Sequence, residues 1–281
     1  MKKQNIFLKN KKFTVYLILA LGIILTAVFA PQISTHDPGE AILTEALKAP
    51  GDGHIFGTDK LGRDLFSRVI YGTRASLPAT FVLVGSIFLI GSVIGILAGY
   101  FGGWLDAVIM RIADMMVAFP GMVLALAVAG ILGPSITNAV IAVGLVSWPK
   151  YARMARSLVL KIKYEDYVEA AKVTGSKTRH ILTRYMIPSV LPTLVITAST
   201  DIGGMMLELA GLSFLGFGAR PPIPEWGLML SEGRSYMQNA PWVMIFPGLA
   251  ILFVVVVFNL LGDSLRDVLD PKEEGLCIWI C

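Results

Sequence analysis

The sequence predicts an all-α membrane protein with six transmembrane helices. Of its 281 residues, 55% are hydrophobic and only 16% are charged, a balance unlike that of soluble domains. Several apolar runs approach or exceed the roughly 18–20 residues that cross a bilayer as a helix. The predicted spans are 13–30, 77–101, 112–132, 136–148, 187–209 and 242–261. No internal repeat divides segment 13–271, which we interpret as one membrane domain.

The first run is preceded by five lysines and ends in "VFA", so a cleaved secretory signal peptide is an alternative to a membrane span. However, its 18 apolar residues exceed the roughly 7–15 of a signal-peptide core. We therefore expect a retained helix after a short tail, residues 1–12.

The loop 31–76 divides into a half rich in Pro and Gly and a helical half. The motif "GTDKLGRD" (57–64) offers two aspartates as helix caps and two glycines as turn residues, namely Asp59, Asp64, Gly57 and Gly62. In the following "DLFSRVIYGTRASL", the apolar residues have near-helical spacing. This pattern predicts an amphipathic helix on the membrane surface before the second span.

The second span carries glycine at every fourth position, which favours close approach of another helix. The glycines are Gly91, Gly95, Gly99 and Gly103. The partner helix can belong to this chain or to a second subunit. Pro120 and Pro247 fall inside the third and sixth predicted spans, where proline can kink a helix.

Basic residues near span ends favour the cytoplasmic side. Five lysines lie in the first 12 residues, and segment 150–185 has nine basic residues against three acidic ones. Both should face the cytoplasm, and the four intervening spans have the required even number. This topology places loop 31–76 outside, loop 150–186 inside, and both termini, including tail 272–281, in the cytoplasm.

Acidic side chains inside an apolar span are costly and face protein or water. Asp201 and Glu208 lie seven residues apart on one face of the fifth span. They either line a substrate path or bond to a neighbouring helix. Asp114, beside Arg111, is expected to form an ion pair at the membrane boundary.

The sequence lacks motifs that would make the chain an enzyme. It contains no phosphate-binding loop, and "GLSFLG" (211–216) does not fit the nucleophile motif of serine hydrolases. Its three histidines, His36, His54 and His180, are far apart in sequence, and its two cysteines, Cys277 and Cys281, are too few for a typical metal site. We expect no catalytic residue, no metal site and no nucleic-acid partner.

A charged stretch, "EAAKVTGSKTRHILTRYMIP" (169–188), predicts two short helices in the second cytoplasmic loop. Glu165 or Asp166 can cap the first, and Gly175 suits the left-handed position that ends it. Ser176 can cap the second, which should end at Pro188. Ala170 and Ala171 offer a flat surface to another protein, flanked by apolar Tyr167 and Val173.

This stretch resembles the signature of permease subunits of bacterial ABC importers. The matching residues are Glu169, Ala170, Ala171, Gly175, Ile187 and Pro188. The resemblance implies a type I importer fold in the bacterial inner membrane, with this loop as the helix that couples the permease to a separate ATPase. It also implies a homologous second permease, two ATPase subunits that bind ATP and Mg, an extracytoplasmic solute-binding protein, and no cofactor in this chain.

Three further segments are similar to the oligopeptide, dipeptide and nickel branch of these permeases, in its second-permease type: residues 56–77, 110–120 and 208–234. The tail "FNLLGDSLRDVLDP" (258–271) is similar as well. Met205 and Met206 lie where the pattern is closer to nickel-type permeases, and we include them as candidate path residues. The predicted function is uptake of nickel or oligopeptides. A standalone channel or secondary transporter is the alternative.

Overall fold

The computed structural model describes residues 11–51 and 53–269, which form a helical bundle without β-strands. The cysteines at 277 and 281, the tail 272–281 and residues 1–10 lie outside the described residues. The long helices are α1 (Lys11–Val28), α3 (Leu65–Phe101), α4 (Gly103–Val117), α5 (Gly121–Leu132), α6 (Ile136–Ile162), α9 (Ile187–Phe214) and α11 (Trp242–Leu269). The short helices are α2 (Ala30–Ile33), α7 (Asp166–Val173), α8 (Thr178–Ile181) and α10 (Trp226–Gly233).

Four helices in the described part of the chain are long and apolar enough to cross a membrane. They are α1, α3, α11 and the continuous helical stretch Thr178–Phe214 that contains α8 and α9. The pair α4 and α5 becomes a fifth if it is counted as one broken span. The remaining predicted span, 136–148, is the first half of the 27-residue α6, whose second half is basic. Four of the six predicted spans therefore correspond to helices long and apolar enough to cross a membrane by themselves.

The predicted surface helix before the second span is wrong. Residues 65–76 are continuous with the span and form a single helix of 37 residues. At about 1.5 Å per residue it is about 55 Å long, so it exceeds the roughly 30 Å hydrocarbon core. Its start is capped as expected, because the carboxylate of Asp64 accepts the backbone N–H of Ser67 at 2.7 Å. Gly57 and Gly62 have positive φ, as expected for turn residues.

The glycine positions of α3 form a packing seam with α6, so the partner helix belongs to this chain. A Cβ on Gly91 would lie 2.6 Å from Cβ of Tyr151, and one on Gly99 would lie 3.0 Å from Cβ of Val159. Gly103 is not part of the seam: it begins α4 with φ +58°, and nothing lies near the position of an added Cβ. The four-residue ladder is therefore a three-residue contact.

Two apolar clusters form the interior. One joins α3, α5, α6 and α9, and it includes residues from the loop after α6 such as Val168 and Ile181. The other joins α1, α3, α9, α10 and α11 around the buried Trp226. Ala20 and Ile23 of α1 belong to this second cluster. The first helix thus packs into the bundle.

The third predicted span is broken at Pro120. The axes of α4 and α5 meet at 93°, and Pro120 precedes the first residue of α5 instead of lying inside a helix. Proline lacks a backbone N–H and disfavours helical geometry in the preceding residue, so the chain can turn there. Pro247 does lie inside its helix, α11.

Candidate functional site

The loop after α6 contains the first predicted helix and the predicted turn at Gly175, but no side chain caps the start of that helix, so the expected cap from Glu165 or Asp166 is wrong. Helix α7 follows Glu165, and Gly175 has φ +79° directly after its last turn. Two hydrogen bonds close that turn: Gly175 N–H to the carbonyl of Lys172 and Ser176 N–H to the carbonyl of Ala171, both 3.0 Å. This pair of bonds is the Schellman motif, in which glycine is favoured because other residues are strained at positive φ.

Helix α7 has a buried side and an open side. Val168 and Ala171 are buried against the bundle. Glu169, Ala170 and Val173 are exposed, and the Val173 side chain is 88% exposed. The flat surface is therefore formed by Ala170 without Ala171, since the latter holds α7 to the bundle. We call the exposed set Glu169, Ala170 and Val173 the α7 face.

Two expectations for the second helix of this loop are wrong. Lys177, not Ser176, precedes the first residue of α8. Helix α8 also does not end at Pro188, because a π-helical turn, Leu182–Met186, carries it directly into α9. A π turn shifts the bonding pattern by one residue, and Pro188 lies in the first turn of α9, where a missing N–H is tolerated. The loop is therefore joined to α9 without interruption.

Asp201 of α9 bonds to the neighbouring helix α6. Its two carboxylate oxygens lie 2.6 and 2.7 Å from Nζ of Lys150, and the hydroxyl of Tyr151 donates to it at 2.9 Å. Tyr151 is fully buried, whereas half of the Lys150 side chain is exposed. A carboxylate with a cation and a hydroxyl donor is stabilised electrostatically in an apolar bundle. Bonding to a neighbouring helix, one of the two expectations for Asp201, is what the structure shows.

The other three candidate path residues lie farther along α9. Glu208 is half-buried, two helical turns from Asp201. Met205 and Met206 are buried, one in each apolar cluster. In this chain the two thioethers therefore contact protein, and only Asp201 and Glu208 keep partial access to the surface.

Two further aspartates bind arginines of α6. Asp114 lies 2.6 Å from Nη2 of Arg153, so its partner is not the expected Arg111. One turn of α6 farther on, Arg156 donates from Nε and Nη2 to the two carboxylate oxygens of Asp106, which is a bidentate ion pair. Arginine suits this geometry because its planar fork matches a carboxylate. The two pairs hold α4 along the basic half of α6.

At the opposite end of the bundle, loop 31–64 brings together two histidines that the sequence separates. The ring centres of His36 and His54 are 4.9 Å apart, which corrects the expectation that the histidines are distant. Nδ1 of His54 lies 2.9 Å from a carboxylate oxygen of Asp64, and its Nε2 lies 3.1 Å from Glu45. The bond to Asp64 raises the pKa of His54; burial opposes this shift and Glu45 supports it.

Asp64 is almost fully buried. Burial alone would raise the pKa of Asp64, but the backbone N–H of Ser67 and the ring of His54 outweigh that effect, and the pKa is lowered. The carboxylate is therefore ionised at neutral pH.

A buried ion network ties the same loop to α10. Arg63 donates from Nε to Asp59 at 2.6 Å and from Nη2 to Glu232 at 3.1 Å. Arg68, 1% exposed, lies 3.5 Å from both acids. Sequence reasoning missed this network because Glu232 is 169 residues from Arg63. The available signal was the density of opposite charges in "GTDKLGRDLFSR" within an apolar chain.

Helix α10 is capped by Glu225 and is bonded to α3 through Trp226. The carboxylate of Glu225 accepts the backbone N–H groups of Gly227 and Leu228 at 2.9 and 2.8 Å. The indole of Trp226 donates to the carbonyl of Val69 at 2.9 Å. Burial raises the pKa of Glu225, and these backbone donors only partly offset it.

Comparison with known proteins places these features in context. The profile of the family described as "binding-protein-dependent transport system inner membrane component" matches residues 91–275. The dipeptide transport system permease protein DppC of Alkalihalophilus pseudofirmus is 44% identical, covering 95% of this chain and 88% of that protein. The probable D,D-dipeptide transport system permease protein DdpC of Escherichia coli is also 44% identical, with 92% and 87% covered.

The glutathione transport system permease protein GsiD of Pectobacterium atrosepticum is 45% identical, covering 92% of this chain and 86% of that protein. Among solved structures, an inward-facing form of the MetNI methionine ABC transporter has a TM-score of 0.60 and 22% identity. That match covers 72% of this chain and 97% of the other, and it shows a common fold. None of these proteins is named for nickel.

Proposed function

The chain belongs to the family of binding-protein-dependent inner membrane components, the permease subunits of ABC importers, and on that premise we propose that its cargo is a short peptide. The relatives described above are named for dipeptides, D,D-dipeptides and glutathione, all compounds with amide bonds and charged ends. Nickel, which the sequence pattern also suggested, has no support from them. As a permease subunit, the chain depends on ATP hydrolysis in other subunits.

The α7 face is the proposed docking surface for the ATPase, and it carries the proposal. Val168 and Ala171 hold α7 to the bundle, which leaves Glu169, Ala170 and Val173 exposed. An apolar side chain as exposed as Val173, next to a small and a charged residue, suits insertion into a groove of another protein. Gly175 fixes the turn that follows, and the continuous helix Thr178–Phe214 connects the turn to the membrane interior.

The proposed complex contains this permease, a homologous second permease, two ATPase subunits that bind ATP and Mg, and an extracytoplasmic solute-binding protein. In this arrangement the chain itself needs no cofactor. The α7 face and both termini lie in the cytoplasm, and loop 31–64 lies outside. The basic residues of the second half of α6 support this orientation, since lysine and arginine accumulate on the cytoplasmic side.

The proposed translocation path runs along α9 and is completed by the second permease. Asp201 and Glu208 support it because both keep partial access to the surface of this chain. Met205 and Met206 fit a supporting position behind the path, since both are buried in the apolar clusters.

Co-purification with the ATPase subunits tests the docking surface. Val173→Asp should abolish association because it places an ionised side chain in the groove contact. Leu43→Asp is the matched control, since Leu43 is also an exposed apolar side chain, 71% exposed, but lies in loop 31–64. Equal association of both variants would contradict the assignment of the α7 face.

Uptake by reconstituted vesicles tests the function itself. We expect uptake of a labelled dipeptide only when the second permease, the ATPase subunits, ATP and the binding protein are all present with this chain. Uptake by this chain alone would instead identify a channel or secondary transporter. Uptake of Ni²⁺ without uptake of any peptide would overturn the proposed cargo.

A further inference from the structure

Loop 31–64 contains a second candidate site, separate from the α7 face and from the candidate path residues of α9. His36, His54 and Asp64 each offer one ligand atom, and these atoms all lie within 4.8 Å of one another. The three residues come from separate parts of the chain: His36 follows α2, His54 lies in a turn, and Asp64 caps α3. Such convergence of two imidazoles and a carboxylate is unusual in a chain with only three histidines.

The distances fit ligands around one cation. Nδ1 of His54 is 2.9 Å from Oδ1 of Asp64, and Nδ1 of His36 is 3.8 Å from the same oxygen. Neighbouring ligands of a tetrahedral zinc ion with bonds of about 2.0–2.1 Å stand somewhat over 3 Å apart. The three groups are therefore within a small rearrangement of a coordination shell. His36 also lies beside an open cleft, which gives a cation a way in.

Outer contacts already orient these groups as metal ligands. Nε2 of His54 lies 3.1 Å from Glu45, so with a proton on that nitrogen the lone pair of Nδ1 can bind a metal in place of its present bond to Asp64. The other oxygen of Asp64 accepts the N–H of Ser67. Metal-binding histidines typically donate their second N–H to a carboxylate or carbonyl in this way. Asp64 and His54 are also buried, which keeps competing water away.

We propose that His36, His54 and Asp64 bind a divalent transition metal ion, Zn²⁺ in the first instance, with Glu45 as the outer partner of His54. Two imidazoles and one carboxylate match the preference of Zn²⁺ and exclude the all-oxygen sites of Ca²⁺ and Mg²⁺. Three protein ligands leave a fourth position for water or a ligand from another molecule. The ion would join three segments of the loop to the start of α3. This proposal does not depend on the identity of the cargo.

The test measures Zn²⁺ binding by titration calorimetry. The sample is the purified, untagged full chain in detergent at pH 8. The background carries Cys277→Ser and Cys281→Ser, so that thiols do not contribute. We expect one Zn²⁺ per chain and a rise in melting temperature, because a ligand that binds the folded state stabilises it. Co²⁺ as a probe should give the visible absorption of a tetrahedral site.

The variants separate a ligand role from a structural one. His36→Asn removes the most exposed ligand and should weaken Zn²⁺ binding by at least about 100-fold, whereas Glu45→Gln should weaken it about 10–100-fold. His180→Asn is the matched control, because it removes the third histidine, which lies in α8. If the chain with only Cys277→Ser and Cys281→Ser binds no Zn²⁺ at micromolar concentration, or if His36→Asn and His180→Asn bind it equally in that background, the site does not exist. Transport assays are not needed for either result.

Discussion

A Cβ atom on Gly95 would lie 2.2 Å from the carbonyl oxygen of Ala152. Gly95 is in α3 and Ala152 in α6, so the two backbones are nearly in contact at the middle of the seam. No side chain larger than hydrogen fits there without separating the helices.

Gly95→Ala is therefore expected to destabilise the bundle by about 1–3 kcal/mol, as overpacking does. Gly85→Ala is the control on the same helix, because nothing lies within 4 Å of its added Cβ. Alanine also favours a helix over glycine by about 1 kcal/mol, so Gly85→Ala should be neutral or stabilising. The apparent melting temperatures in detergent check this. Indistinguishable values would mean that the seam tolerates separation.

Gly175 should resist substitution for a different reason. Its φ is +79°, and nothing lies within 4 Å of an added Cβ, so only backbone strain opposes a larger residue. Gly175→Val should cost about 1–2 kcal/mol or more, whereas Gly175→Asn should cost less, since asparagine visits this conformation.

The measurement is peptide uptake per ATP hydrolysed in the reconstituted complex. We expect Gly175→Val to lower this ratio more than Gly175→Asn does, with normal insertion of both variants. Equal, unaltered ratios would show that the turn after α7 transmits nothing.

The contact between Asp201 and Lys150 predicts unequal effects of two ion pairs. Asp201→Asn leaves the buried Tyr151 hydroxyl and the ammonium of Lys150 with a weaker acceptor. A double-mutant cycle with Lys150→Gln should give an interaction energy of about 0.5–3 kcal/mol. The matched pair Asp114 and Arg153, whose side chains are 65% and 40% exposed, should give about 0–1 kcal/mol. Denaturation of the four single variants and the two double variants decides this, and equal couplings would contradict it.

The buried carboxyl of Glu225 predicts a pH-dependent stability. Its pKa is raised in the folded state, so the folded protein binds this proton more tightly than the unfolded chain does. The contribution is full below the ordinary glutamate pKa of about 4.3 and is lost as pH rises through the raised value. Glu225→Gln should flatten this part of the profile.

The check is melting temperature between pH 4 and 8 for the unaltered chain, Glu225→Gln and the control Glu40→Gln. Glu40 is exposed, so its variant removes the same charge without the burial. Parallel profiles for all three proteins would rule out the effect.

Most of the bundle could be predicted because its signals are local. Apolar runs located α1, α9 and α11, the glycine spacing located the seam, and Gly175 located the end of α7. Each of these depends on residues a few positions apart. The continuity of residues 65–76 with the second span could not be predicted, because Arg68 in an isolated pattern indicates a surface helix. Its partners, Asp59 and Glu232, are assembled only by the folded loop and α10.

The candidate sites also differ in whether their residues are close together in the sequence. The α7 face follows from one continuous stretch of sequence. The cluster of His36, His54 and Asp64 does not, because turns of loop 31–64 create it. The partner of Asp201 is not predictable either, since Lys150 is 51 residues away and belongs to a helix whose basic half has the sequence pattern of a loop.

The helical stretch Thr178–Phe214 has 37 residues without a break. At about 1.5 Å per residue the stretch is about 55 Å long. A rotation of about 10° about one end would move the other end by about 10 Å. A small rocking movement beside the α7 face would therefore become a large displacement at the far end of α9.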